Sequence, residues 1–330
     1  MLSARRLQAQ ATIKIIQEEA KNLKSLVHQH IITLLGSYEE TKPRNRHSYY
    51  LLMSPVGEND LRNFLEMVGD ENETRSQTAA LSIWKTWIYG WFACLASALA
   101  FMHGNGIRHQ DIKPSNIIHK GQDIYFTDFS SSCAFDIGHT TSTDNPSRAS
   151  PMYAAPEIIE NYTGNLQRHG RATDIFALGC VFCDMLSVLT GGSVSMFQGA
   201  IRDPEAINFG RGALYYSQRL SQISEWFTSS AIFSDHICAM LQHSRDLRPT
   251  AMAVVQWFVI DNIFNDTCTC WQHSLWCADS EGQMSRRKVE AVQVRNKQNV
   301  FVPLKYATDD DIAHIERHGI HSDPWTTRRL

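Results

Sequence analysis

His109-Gln110-Asp111-Ile112-Lys113-Pro114-Ser115-Asn116, followed by Asp128-Phe129-Ser130, decides the reading of this chain. Two carboxylates, one ammonium and one amide stand at spacings suited to phosphoryl transfer. That reaction asks little covalent work of a protein. It needs an oriented hydroxyl, metal ions on the phosphates and positive charge near the transferred group. Asp111 can accept or orient a hydroxyl proton. Lys113, two residues on, can share one face of an extended loop with it and neutralise a moving phosphate. Asn116 offers a carbonyl oxygen and Asp128 a carboxylate to a hard cation, the ligation that Mg2+ prefers.

Working outward, Ile13, Ile16, Ala20, Leu23 and Val27 recur at steps of three and four, which predicts a helix from about Leu7 to His28. The runs 31–35 and 49–53 read as strands. They flank the polar stretch Glu39 to His47, expected as a long hairpin loop. Asp60 is placed to N-cap a short helix carrying Leu61, Phe64 and Leu65. A helix is expected over Ala79–His103, short strands near 117–118 and 124–126, and helices from Ala172 and near 216–227, 234–242 and 251–260. Ser130 to Ser150 and Gly69 to Gln77 are polar and read as surface segments. The pattern weakens beyond about Asp261. One hairpin with a helix, then a mostly helical body, predicts two unequal lobes.

The 330 residues are 43% hydrophobic and 20% charged, with a net charge of -3. That balance fits a globular protein and gives no sign of nucleic-acid or anionic-membrane binding. The apolar run Trp87 to Met102 is short for a membrane span and leads into the polar loop, so it reads as a core helix. MLSARRLQAQ has no apolar signal core, and Glu18 and Glu19 soon follow, so it reads as part of a helix. The eight cysteines are Cys94, Cys133, Cys180, Cys183, Cys238, Cys268, Cys270 and Cys277. Most sit in apolar runs, as buried thiols of a reducing compartment would. The expected location is intracellular, cytoplasmic or nuclear.

HQDIKPSN and DFS resemble the H-R-D-x-K-x-x-N and D-F-G signatures of the eukaryotic protein kinases, with Lys113 typical of the serine/threonine branch. Ala155-Pro156-Glu157 resembles the A-P-E motif. Asp174-Ile175-Phe176-Ala177-Leu178-Gly179 resembles the motif of the central large-lobe helix, and Asp246-Leu247-Arg248-Pro249-Thr250 a later one. Glu19 to Ile32 is similar to helix C and the next strand, with Glu19 at the helix-C glutamate position. Leu51-Leu52-Met53-Ser54-Pro55-Val56 is similar to the strand and hinge that hold adenine. LLMSPVGENDL and HQHIITLLGSY are also similar to a group of fungal serine/threonine kinases.

The resemblance runs from about Glu19 to Ile260. It implies an α+β, protein-kinase-like bilobal fold with a reduced N-lobe and a mostly helical C-lobe. It implies ATP and Mg2+ as cofactors and a protein substrate, with no nucleic acid, no membrane and no statement on oligomeric state. In its terms Asp111 orients the substrate hydroxyl, Lys113 stabilises the transferred phosphate, and Asn116 and Asp128 hold the metal. Met53 is the gatekeeper, while the Ser54 carbonyl and the Val56 N–H face adenine. Glu157 pairs with Arg248. His109 stacks beside Phe129, Asp174 bonds the loop backbone, and the Ser150 hydroxyl bonds Asp111 and Lys113.

Three departures stand out. No G-x-G-x-x-G-x-V segment precedes helix C. The nearest match to the family's V-A-I-K strand is Ala11-Thr12-Ile13-Lys14, but Lys14 lies only five residues before Glu19. On one helix that places the two about 140° apart, so Lys14 reads as a helix residue. Gln110 replaces the arginine that reads an activation-segment phosphate, which predicts weak dependence on phosphorylation within Ser130–Ser150. Residues 1–56 are therefore expected as a partial small lobe lacking the glycine-rich loop and strand lysine, 57–262 as the large lobe and 263–330 as an extension. The expected function is a serine/threonine protein kinase in an N-terminally truncated form. The alternative is a catalytically inactive pseudokinase that serves as a binding or scaffold module. In the tail, Cys268, Cys270, His273 and Cys277 are of types that bind zinc. Their spacing matches no common zinc pattern, so thiols beside Trp271 and Trp276 are the expected reading.

Overall fold

The computed structural model describes residues 3–7, 10–42, 46–74, 78–134, 150–162, 170–202, 214–264, 268, 270, 293–295 and 301–303. A small sheet is built from β1 (Ser3–Leu7), β2 (Thr33–Lys42) and β3 (Arg46–Ser54), with α1 (Gln10–Ser25) between β1 and β2. Its order is β1-β3-β2, antiparallel throughout.

This differs from the sequence reading in two places. Residues 3–7 are a strand rather than the start of a helix, and α1 begins at Gln10. Pairing of all five residues with residues 49–53 of β3 outweighs the local helical pattern there. The polar stretch from Glu39 is largely strand, and 43–45 lie outside the described residues. Tyr38 and Tyr50 sit opposite each other in the ladder and stack at 4.6 Å, and the Tyr50 hydroxyl donates to Glu40 Oε2 at 3.0 Å. Cross-strand pairs of this kind hold a wet hairpin without an apolar pattern.

Two long helices form the centre of the larger body. α3 (Ala79–Gly104) and α5 (Arg171–Leu189) are apolar around most of their circumference, because neighbours cover them on nearly every side. Phe92, Phe182 and Phe258 form a ring cluster with centroids 4.9 to 5.8 Å apart, joining α3, α5 and the helix Ala251–Ile260. α5 is the described helix long and apolar enough to cross a membrane, and 83% of that window is buried inside the fold. Side-chain caps define the helix starts, as expected for Asp60: its Oδ1 accepts from Asn63 N at 2.8 Å and opens α2 (Leu61–Glu73). Thr78 and Thr250 cap α3 and the 251–260 helix in the same way.

The two bodies join through the link after α1. Phe126 N–H donates to His30 O at 2.9 Å, and Ile32 N–H donates to Phe126 O at 3.0 Å. Phe126 ends β7 (Asp123–Phe126), which pairs with β6 (Ile117–Lys120). The small sheet is thereby tied to the strand that runs straight into Asp128.

Two buried polar pairs fix the lower part. Arg248 donates to both Glu157 oxygens at 2.8 Å, the bidentate pair expected from sequence. Asp184 of α5 is fully buried and accepts from the Tyr216 and Tyr153 hydroxyls. Burial pushes its carboxyl up to about 6, against a smaller opposing effect of the tyrosine and Gln198 donors.

A raised folded-state pKa means that the folded protein holds this proton more tightly than the unfolded chain. The stability it contributes is complete below about pH 4 and is lost as pH rises through about 6. Asp184→Asn cannot titrate. Its stability relative to the natural protein should therefore improve by about 3 kcal/mol between pH 4 and pH 7 and stay level above that. Urea unfolding at a series of pH values measures this, and a gap that does not change with pH would exclude it.

Candidate active site

The loop from His109 to Asn116 is held by one carboxylate beneath it. Asp174 lies in the first turn of α5 and is 1% exposed. Its Oδ2 accepts from His109 N at 2.9 Å and from His103 Nε2 at 2.9 Å, and its Oδ1 accepts from Gln110 N at 2.8 Å. Burial alone would raise its pKa, but the His103 bond, the nearby histidines and the Gln110 N–H outweigh that and hold it below the ordinary range. Gln110 has φ 67, a left-handed conformation that a non-glycine residue adopts at a cost of about 1–2 kcal/mol. The paired N–H bonds to Asp174 keep the loop in that shape.

His109 fills the space above as expected. Its ring lies 4.9 Å from Phe129 and 5.5 Å from Phe126. Nε2 bonds Thr127 O at 3.1 Å, and Nδ1 faces Asp111 N at 3.4 Å. The catalytic-type loop and the Asp128 segment are thus connected through one imidazole.

Asp111 is the centre of a closed network. Its Oδ1 accepts from Ser150 N at 3.0 Å and from Ser150 Oγ at 2.8 Å. Its Oδ2 accepts from Lys113 Nζ at 2.8 Å and from Asn116 Nδ2 at 2.9 Å. Lys113 Nζ also donates to Ser150 Oγ at 2.7 Å. Four donors fix the carboxylate in one orientation. Asn116 Nδ2 donates a second time, to Asp111 O at 2.9 Å, so both amide hydrogens are engaged and the side-chain carbonyl oxygen remains as an acceptor. Asp128 has φ 58, a region that aspartate tolerates better than most residues, and its Oδ1 accepts from Ser130 Oγ at 2.7 Å.

A cleft of about 450 Å3 opens beside these groups, lined by Ile32, Val56, Asp60, Ser115, Ile118 and Thr127. It lies between the segment after β3 and the residues next to Asn116 and Asp128. Met53 ends the buried face of β3 at 7% exposure, and Ser54 closes the ladder opposite Thr33. Among the described residues the Val56 N–H has no protein acceptor. An adenine edge and a divalent cation fit this donor and acceptor set. Glu19 is buried on α1 at 1% exposure, and the next turn of α1 touches the Asp128 segment through Asn22 Nδ2 to Ser132 Oγ at 2.9 Å.

Sequence reasoning did not weigh β1. Lys14 lies within α1, as its spacing implied. β1, however, is a strand directly ahead of the Glu19 helix, and its register sets Arg5 opposite Leu51 and Ser3 opposite Met53. Leu51 and Met53 are both buried, and Arg5 is the β1 residue aligned with Leu51. It stands fourteen positions before Glu19, an interval like that between the family's strand lysine and helix-C glutamate. The signal was Ala4-Arg5, a short A-R in place of a longer V-A-I-K. Most of the Ser130–Ser150 segment, 135–149, lies outside the described residues.

Comparison with known proteins agrees with this geometry. The family described as protein kinase domain matches residues 2–259. Serine/threonine-protein kinase 33 of Bos taurus is 29% identical over 188 residues, covering 53% of this chain and 34% of that protein. Serine/threonine-protein kinase RAD53 of Saccharomyces cerevisiae is 27% identical over 247 residues, covering 72% of this chain and 26% of its own. Calcium/calmodulin-dependent protein kinase type 1 of Caenorhabditis elegans is 26% identical over 170 residues, covering 50% and 41%. The chain thus spans between a quarter and two-fifths of the length of these relatives. The chain belongs to the protein kinase domain family. Proteins of that family generally use ATP and Mg2+.

Asp174→Ala would leave two backbone N–H groups and His103 without their buried acceptor. The expected loss is about 3–5 kcal/mol of stability, with faster amide exchange at His109 and Gln110. Chemical denaturation and hydrogen exchange measure it. A loss under about 1 kcal/mol would remove Asp174 from this role.

Proposed function

We propose that the chain is a serine/threonine protein kinase domain that transfers the ATP γ-phosphate to a protein hydroxyl. The observation that carries this is the Asp111–Lys113–Asn116–Ser150 network, in which an acceptor, a cation and a metal-ligating amide are fixed within bonding distance of one another. ATP with Mg2+, when bound, supplies the transferable phosphoryl group. Asp111 orients the incoming hydroxyl and takes up its proton. Lys113 places positive charge beside the transferred group. The Asn116 carbonyl oxygen and the Asp128 carboxylate are the metal ligands, and Met53, Ser54 and Val56 form the adenine side.

In this reading Arg5 takes the place of the strand lysine and acts with Glu19. Residues 1–56 then serve as the small lobe, 57–262 as the large lobe and 263–330 as an extension. Arg5 also favours a second reading, a nucleotide-binding pseudokinase. A guanidinium is a planar, spread charge and does not substitute for an ammonium at a site built around a point charge.

The readings separate by experiment. Mg2+-ATP should raise the melting temperature of the full chain, and Asp128→Ala should abolish the rise. Asp111→Asn should keep the rise and lower phosphate incorporation into a serine- or threonine-containing protein about 100-fold or more. A thermal rise without any transfer by the natural chain would favour the pseudokinase. No rise at millimolar ATP would reject both.

Arg5 has its own test. Arg5→Ala should weaken the ATP-dependent thermal shift, and Arg5→Lys should restore it. Equal shifts in all three proteins would remove Arg5 from the site.

A further inference from the structure

We propose that His30, Cys94, Cys268 and Cys270 form a structural zinc site that fastens the chain after residue 264 to both bodies of the domain. The four residues come from three distant parts of the chain: the link after α1, the middle of α3, and the segment after the 251–260 helix. All four are buried, at 1%, 3%, 7% and 1% exposure. One ligand atom from each falls within 4.8 Å of the others.

Three thiols and one imidazole are a donor set that structural zinc takes in tetrahedral form. Zn–S bonds of about 2.3 Å at the tetrahedral angle put two sulfurs about 3.8 Å apart. Cys94 Sγ and Cys268 Sγ are 3.8 Å apart. His30 Nε2 lies 3.1 Å from Cys268 Sγ, about 0.4 Å inside the tetrahedral edge for a nitrogen and a sulfur, so it would draw back slightly around an ion. The sulfurs are not joined to one another, since a disulfide needs about 2.05 Å.

The surroundings prepare the donors. His30 Nδ1 is 2.8 Å from the Ile124 carbonyl. A carbonyl only accepts, so Nδ1 carries a hydrogen, and Nε2, on the side of the sulfurs, is the nitrogen left to ligate an ion. A fixed tautomer of this kind is what metal-binding histidines obtain from an outer hydrogen bond. Cys270 N–H faces Cys268 Sγ at 3.5 Å, and Ser97 Oγ holds the Cys270 carbonyl at 2.9 Å. His28 Nε2 touches Ser97 Oγ at 3.3 Å, so the outer ring is polar as well. A cluster of thiols that merely filled space would need neither a buried imidazole of set tautomer nor this ring of donors.

A zinc site here departs from the sequence reading of the tail as free thiols. Cys268 and Cys270 meet His30 and Cys94. His273 and Cys277 lie outside the described residues. Binding displaces up to three thiol protons, one for each sulfur that becomes a thiolate ligand.

The full chain, purified with reductant and without chelator, should carry one zinc by elemental analysis. Removal by chelator should lower its melting temperature by about 5 °C or more, and added Zn2+ should restore it. Cobalt(II) exchanged into the site should show the thiolate charge-transfer and tetrahedral d–d absorption of a three-sulfur ligand set. Cys268→Ser and His30→Ala should lose zinc, while Cys238→Ser, His273→Ala and Cys277→Ser should keep it. Should the ligand variants fail to fold, the chelator and cobalt arms on the natural chain decide alone. A zinc-free chain that takes up neither ion, iron in place of zinc, a Cys94–Cys268 disulfide by peptide mass analysis, or zinc lost from His273→Ala or Cys277→Ser would each overturn the assignment.

Discussion

A single buried carboxylate sets the geometry on which everything else at this site depends. Asp174 takes two consecutive backbone N–H groups and one imidazole in a place that water does not reach. An ionised acid there is expensive unless every lone pair is used. Its position in the first turn of α5 adds the favourable end of a helix dipole to the three direct donors. The loop in turn receives a conformation it would not hold alone, with Gln110 in the left-handed region. From that turn the chain delivers Asp111, Lys113 and Asn116 to one small volume. The order of cause runs from the core helix to the loop and then to the site.

That hierarchy explains what the sequence could disclose. Asp174, Ser150, His109 and the Glu157–Arg248 pair were legible because each depends on residue type at a fixed place in an ordered series of motifs. A bidentate guanidinium–carboxylate pair has few substitutes, and the structure has both bonds at 2.8 Å. The long helices were legible for a different reason. Residues 79–104 and 171–189 are apolar over many turns, a pattern that survives errors at the ends.

What was hidden was governed by partners far along the chain. Ser3-Ala4-Arg5-Arg6-Leu7 has no strand pattern of its own, and it becomes a strand because β3 offers it a free edge. The polar arm of the hairpin was hidden for the same reason, since stacked Tyr38 and Tyr50 replace an apolar stripe. The companions of Cys268 and Cys270 are 238 and 174 residues away from Cys268, at His30 and Cys94. No local spacing rule can see such a meeting.

The same long-range logic gives the link after α1 a central place. His30 and Ile32 bond both sides of Phe126 through their backbones, while the His30 ring bonds the Ile124 carbonyl two residues earlier in β7. Thr127, next along, accepts from His109 through its backbone oxygen and donates through its N–H to the backbone oxygen of Asn116, and Asp128 follows. One short strand therefore registers the small sheet, the loop below and Asp128 against one another. The His30 side chain on that link also meets the thiols of Cys94, Cys268 and Cys270, which brings the last two up to the same strand. Cys268 and Cys270 then belong mechanically to the site, because the strand beside them is the one that sets where Asp128 stands.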